Sequence, residues 1–204
     1  MILYHGSGIA VSHPDLRHSR ADVDFGAGFY LIEDRDMAYK WASNKTTSIV
    51  NVYDVDVDEL HIKQFDLNEE WLRFIIANRL YGGDGAVDYS MYDALYGPIA
   101  DDRLYDTLGF FESGIYTTNQ TLRILNCMDY VHQFVFTNEF ALTNHLRFVQ
   151  AFTLTEEEKT RYRKMYINDR KTAREKTLAE VQKIREENEQ LEVVKNNSMK
   201  GPGE

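Results

Sequence analysis

One cysteine, Cys127, stands alone in 204 residues, so the chain can form no internal disulfide and no cysteine-based zinc site. Proline is scarce, at three residues, and no low-complexity tract breaks the sequence before about residue 150. Basic residues are outnumbered: 23 Lys and Arg stand against 33 Asp and Glu, for a formal net charge of −10 and a pI near 5.1. A protein that coats duplex nucleic acid needs a basic face to displace counterions, and this charge balance argues against that class. Brief contact with nucleic acid at one end of a cleft stays open. No apolar run approaches a membrane span, and Met-Ile-Leu-Tyr-His-Gly lacks the basic start and apolar stretch of a leader peptide. The expectation is a soluble protein of the reducing cytoplasm, with no membrane partner.

What is present suffices for one core plus an appendage, since 43% of residues are hydrophobic. The 13 tyrosines and 11 phenylalanines suit half-buried strands and flat-ligand pockets alike. Ile2-Leu3-Tyr4 reads as a short strand ending at His5-Gly6-Ser7-Gly8. An ordered loop over residues 12 to 28 leads to a second strand, Phe29-Tyr30-Leu31-Ile32. Asp34 to Lys45 is predicted helical, with Met37, Ala38, Trp41 and Ala42 on one face. Tyr53, Val55 and Val57 alternate with aspartates, as a strand with one solvated face does. A second helix is expected from about Asn68 to Leu80, striped by Trp71, Leu72, Ile75, Ile76 and Leu80 and stopped at Tyr81-Gly82-Gly83.

Further on, a strand is expected near Ala94 to Ile99, then a loop and short helix through Asp101, Asp102 and Leu104. His132 to Phe136 reads as a strand, Asn138 to Asn144 as a helical turn, and Leu146 to Leu154 as a last strand. The sum is α+β: a mixed, mostly antiparallel sheet with flanking helices, over residues 1–154. At Thr155 the character changes. Thr155 and Glu158 have the spacing of a capping box, and a densely charged helix is expected from there to Lys195. Tyr162, Met165, Tyr166, Leu178, Val181, Ile184, Leu191 and Val194 give it a thin apolar stripe. It reads either as a solvated helix docked at its start or as a surface for self-association or a partner protein. Residues 196–204 are expected to be disordered.

Singly, the local signals are ordinary, since a His-Gly-Ser turn, a Gly-rich bend and a helical tryptophan all occur as plain structure. Together, Leu3-Tyr4-His5-Gly6-Ser7, Asp24-Phe25-Gly26-Ala27-Gly28-Phe29-Tyr30 and Trp41 resemble the NAD pocket of the poly(ADP-ribose)polymerase branch of the ADP-ribosyltransferases. That branch carries His-Gly-Ser on its first strand, Gly-x-Gly-x-Tyr at its second, and an aromatic on the next helix. Its third element begins a later strand, where this chain has Gln133. The resemblance is closest to small bacterial domains of that clan, which also carry Gly-Pro-x-Ala-Asp-Asp, here Gly97 to Asp102. It covers roughly residues 1–150 and does not reach the charged helix.

The resemblance implies an ADP-ribosyltransferase-like split sheet with NAD as co-substrate; no metal is expected, since neither His13 nor His18 lies in a recognised ligand spacing. It implies catalytic roles for His5, Tyr30 and Gln133, and NAD contacts from His5, Gly6, Ser7, Phe29, Tyr30 and Trp41. His5 would bond the adenosine ribose, Gly6 and Ser7 the carboxamide, and Tyr30 with Trp41 would sandwich the ring at about 1 kcal/mol each. Core packing is the other reading of Trp41. The family's usual third residue is glutamate. An amide still accepts a hydrogen bond but bears no charge and cannot act as a base, which argues against polymer synthesis. Asp101 and Asp102 are candidate substitute bases, or else a helix cap. The implied activity is mono-ADP-ribosylation of a protein or nucleic-acid acceptor, in the manner of a bacterial toxin or defence effector. NAD glycohydrolysis and silent NAD binding are the alternatives.

Overall fold

In a computed structural model of the chain, described for residues 1–85, 87–100, 106–127 and 131–199, the elements follow the expected α+β class. They run β1 (Ile2–Ser7), β2 (Phe29–Ile32), α1 (Arg35–Ser43), β3 (Ile49–Val55), β4 (Ile62–Gln64), α2 (Glu69–Tyr81), β5 (Ala94–Pro98), α3 (Thr107–Glu112), α4 (Thr118–Leu125), β6 (His132–Phe136), α5 (Glu139–His145), β7 (Leu146–Thr153) and α6 (Glu156–Met199). Asp101, Asp102 and Leu104, named above for a cap or a base, lie outside the described residues.

Seven strands form one sheet in the order β4-β5-β6-β2-β1-β3-β7, antiparallel except for the β4–β5 pair. β1 extends past Tyr4 to Ser7 because β3 pairs with every residue from Ile2 to Ser7. β3 itself lies earlier than the Tyr53-to-Asp58 alternation indicated. Val50, Asn51, Val52 and Tyr53 are buried in succession, and a strand covered on both faces shows no alternation to read. β4, too short and polar to signal itself, is held by its parallel partner β5.

Side chains alternate across the sheet, and the two faces carry separate clusters. Leu3, Phe29, Leu31, Tyr53, Phe134 and Phe136 pack on one. Ile32, Ala38, Tyr39, Ala42, Val50, Leu154 and Tyr162 pack on the other, beneath α1. Asp34 caps α1 by accepting the Met37 amide at 3.0 Å. Asn68 caps α2 in the same way through Trp71, at 3.0 Å. Trp71 is wholly buried and donates Nε1–H to the Pro98 oxygen at 2.9 Å, which ties α2 to the end of β5. Leu80, expected on the buried stripe, is exposed instead, in the helix's last turn.

The chain divides into two units by packing: Met1–Ala100 with Tyr130–Asp169, and Asp101–Asp129 with Arg170–Glu204. In the first unit the predicted capping box forms, with Glu158 N–H on Thr155 Oγ1 at 3.2 Å and Thr155 N–H on Glu158 Oε2 at 2.9 Å. In the second, Arg123 of α4 bonds Glu180 and grips Glu187 through both terminal nitrogens, while Gln120 donates to Asn188 at 2.9 Å. The face of α6 buried in this unit is Ala173, Thr177 and Ile184, whereas Leu178, Leu191 and Val194 of the expected stripe are exposed. Small residues let a helix sit close, and a stripe read from large apolar residues passes over them. Burying Ile184 contributes about 1.5–3 kcal/mol. The helix continues beyond Lys195 to Met199. Among the described residues, no helix is long and apolar enough to cross a membrane.

Candidate functional site

The candidate site lies in the first unit, where β1, β2 and β6 meet. β1 pairs with β3 along its whole length, and the terminal exchange between Met1 and Val55 fixes the phase of that ladder. Hydrogen-bonded positions alternate in an antiparallel pair, so Leu3, His5 and Ser7 turn their main chains to β3, and Tyr4 and Gly6 turn theirs to β2. Yet the registered pairing of β1 with β2 is a single position, Tyr4 with Ile32. Beyond it the strands diverge. Among the described residues, the amide and carbonyl of Gly6 therefore lie along an opened edge with no strand registered against them.

His5 sits at the point of divergence. Its Nδ1 is 2.8 Å from the Tyr30 carbonyl oxygen, and its ring stacks on Phe29 with centroids 5.1 Å apart. A carbonyl only accepts, so Nδ1 carries the proton and Nε2 keeps its lone pair. Burial holds the imidazole below its ordinary pKa, against the bond to Tyr30 and with help from Lys45. The ring is neutral at pH 7 and presents an acceptor.

Gly6 is needed for a reason the sequence did not reveal. A Cβ there would overlap the Ala38 carbonyl and come within 2.9 Å of the Ala42 nitrogen, so glycine admits α1 against the sheet. Ser7 donates to Ile9 O at 2.5 Å and accepts from Asn51 Nδ2 at 3.2 Å, which commits its hydroxyl to the following loop. Asn51, fully buried, also accepts from Val11 N at 2.7 Å and donates to Ile9 O at 3.2 Å. A lone amide within the apolar run of β3 was the signal for it.

Tyr30 lies half-buried on β2. Its hydroxyl donates to Gly26 O at 2.7 Å and accepts from Phe25 N at 3.1 Å, and burial, aided by the Asp24 carboxylate, pushes its pKa far up. Phe25 stacks with Phe65 at 5.6 Å, and Gly26 adopts φ 70° against the Asn78 side chain, a conformation that favours glycine. The Asp-Phe-Gly stretch is thus a turn packed into the core whose main chain holds the Tyr30 hydroxyl.

Gln133 on β6 is buried and pairs in register with Ile32. Its Nε2 lies 3.4 Å from Asp24 Oδ2. Asp24 also accepts from Arg79 of α2 at 2.5 Å and from the Ala100 amide at 2.8 Å, while Asn78 donates to its main-chain oxygen at 3.0 Å. Arg79 reaches the Ala100 carbonyl as well. Asp24 stood within the sequence motif without a role. Arg79 lies in the last turn of α2, where a cation commonly offsets the helix dipole, so no sequence signal sets it apart.

Strand alternation sets Gln133, Ile32, Tyr30, Tyr4 and Gly6 toward one face and His5, Ser7 and Phe29 toward the other. Tyr30 and Gln133 are brought together through the Asp24 turn. His5 joins them only through the Tyr30 main chain. Phe29 is buried, edge-on to Tyr53 at 5.5 Å, and supports His5 from the core instead of lining an opening. Trp41 is half-buried against the cluster beneath α1, and among the described residues no ring contact joins it to Tyr30. No three His, Cys, Asp or Glu side chains cluster as metal ligands among the described residues.

Fold and site together define an α+β protein with a mostly antiparallel sheet that opens between two central strands, beside a buried Asp–Arg–Gln network. Residues 1–148 match the family described as "Protein of unknown function (DUF3990)", and the chain belongs to it. No curated protein and no solved structure matches the chain.

Proposed function

We propose that the first unit is an ADP-ribosyltransferase-like domain that binds NAD at the β1–β2 opening and transfers ADP-ribose to a macromolecular acceptor, releasing nicotinamide. The observation that carries this reading is the divergence of β1 and β2 after Tyr4–Ile32, which leaves the Gly6 main chain along an open edge with Tyr30 across from it. A carboxamide needs one donor and one acceptor from a main chain, and a strand edge supplies both. The Tyr30 ring offers a flat face for nicotinamide. The neutral His5, with Nε2 as acceptor, suits a ribose hydroxyl. Gln133 accepts from the ribose hydroxyl nearest the bond that breaks, and the buried Asp24 beside it supplies negative charge near a developing positive centre.

The lack of a carboxylate at position 133 favours a second reading, slow NAD hydrolysis without an acceptor. Incubating the protein with NAD labelled in its adenylate part, in a bacterial lysate, separates the two. Label on protein or nucleic acid supports transfer, and free nicotinamide with free ADP-ribose supports hydrolysis. The reading fails if calorimetry finds no NAD binding and neither product forms. A toxin or defence role, and a partner held by α6, follow only if a labelled acceptor or a bound protein is found.

A further inference from the structure

Asp24 and Gln133 are 4% and 5% exposed, and they are 109 residues apart in sequence. An ionised carboxylate only accepts, so the amide must present its nitrogen to Asp24. Its oxygen is then turned away, and among the described residues no donor reaches that oxygen. Asp24 also takes Arg79 and the Ala100 amide, so among the described residues Arg79, Ala100 and Gln133 all donate to one carboxylate. A glutamate at position 133 would set a second carboxylate against the first, which already takes Arg79. Like charges at such a distance cannot both ionise in a buried site.

We propose that Asp24 is the positioning residue of the site: it holds the Gln133 amide nitrogen-inward and oxygen-outward, and it is the reason glutamine and not glutamate stands at position 133. The negative charge is kept in the site but moved from β6 to the turn before β2. Arg79, anchored on the Ala100 carbonyl, fixes Asp24 in turn. The part of this concerning the outward oxygen rests on the proposed NAD reading. The part concerning charge exchange does not.

The test is a double-mutant cycle on the full chain, read by thermal melting. Gln133→Glu alone lowers Tm by roughly 5–15 °C, the effect of an uncompensated buried charge. In an Asp24→Asn background the same substitution costs less, because the second carboxylate is gone. Its penalty in the native background also grows with pH from about 5 to about 8. Burial and the neighbouring carboxylate raise the folded-state carboxyl pKa above its unfolded value. The penalty is therefore absent at low pH, grows as the unfolded chain ionises while the folded one holds its proton, and levels off once that proton leaves. Among the described residues, the charged and titratable groups at this site are Asp24, Arg79 and Tyr30, with Arg20 acting on Tyr30 from further off. An equal or larger fall in the Asp24→Asn background, or a penalty flat with pH, overturns the proposal. If Gln133→Glu does not fold, recovery of folded protein in the double variant is the supporting result and its absence the overturning one.

A kinetic arm checks the orienting role. With NAD as substrate, Asp24→Asn lowers kcat for nicotinamide release by about tenfold or more while KM changes by less than about threefold. An unchanged kcat overturns positioning. Wild-type protein that binds no NAD defeats the proposed function and leaves the stability cycle standing. NAD binding with equal falls in the cycle does the reverse.

Discussion

The Nδ1 of His5 lies 2.8 Å from the main-chain oxygen of Tyr30, and this bond takes the place of strand pairing where β1 and β2 part. A side chain thus satisfies a carbonyl that a regular ladder would have satisfied, and it can do so only while Nδ1 carries its proton.

Burial of the same ring sets a pH dependence, which the bond to Tyr30 opposes. The His5 pKa is lowered by burial, so the unfolded chain takes up a proton more readily than the folded one. Stability is therefore complete above the unfolded value of 6.5 and falls as the pH drops below it. Urea midpoints measured between about pH 7.5 and about pH 5.5 should decline in the native protein. In His5→Gln, which cannot titrate, that part of the decline disappears. An identical slope in both proteins would assign it to other groups.

Gly6→Ala tests whether the His-Gly-Ser glycine serves packing before ligand. The added methyl meets main-chain atoms of Ala38 and Ala42, which cannot rotate away. The expected cost is about 1–3 kcal/mol, at about 2–4 °C in Tm per kcal/mol for a chain of this size. Gly8→Ala is the control, since its Cβ would find no atom nearer than 3.7 Å. Equal melting of the two variants contradicts the tight approach of α1.

Much of the fold was legible in the sequence because it rests on local chemistry. Asp34, Asn68 and Thr155 stood at expected helix starts and each caps its helix, the bond itself having been expected only at Thr155. The Thr117–Gln120 capping box of α4 was equally readable from its spacing and was passed over. What stayed hidden depends on distant pairing. The alternation after Tyr53 marked the solvated end of β3, whereas β1 and β7 decide its length. In the site, Tyr30 and Gln133 were legible as members of a pattern. The Asp24–Arg79 pair spans 55 residues and has no sequence period, so only the fold joins it to them.

Tyr30→Phe separates the hydroxyl from the ring. The hydroxyl is bonded to Phe25 and Gly26, and its loss strands a donor and an acceptor in the turn. Stability should fall by about 1–3 kcal/mol. The ring remains, so NAD affinity measured at a temperature where both proteins are folded should change little. Tyr30→Ala, which removes the flat face as well, should weaken binding by about tenfold. Loss of binding in Tyr30→Phe equal to that in Tyr30→Ala would mean that the hydroxyl itself meets the ligand.

The two tryptophans offer an optical test of where the nicotinamide lies. Trp71 is wholly buried, with its indole N–H on the Pro98 carbonyl, and no ligand ring can stack on it without unpacking α2. Trp41 is half-buried on α1, the helix that packs directly on Gly6. If NAD enters the β1–β2 opening with its ring toward α1, indole fluorescence falls on titration, and the quenched signal belongs to Trp41. Trp41→Phe keeps an aromatic on the helix and should abolish the quenching while Trp71 emission persists. The Tm should drop little, because a half-exposed ring gives up only part of its buried area. Quenching that survives in Trp41→Phe would remove Trp41 from the pocket and leave Tyr30 as its aromatic wall, with α1 serving the core alone.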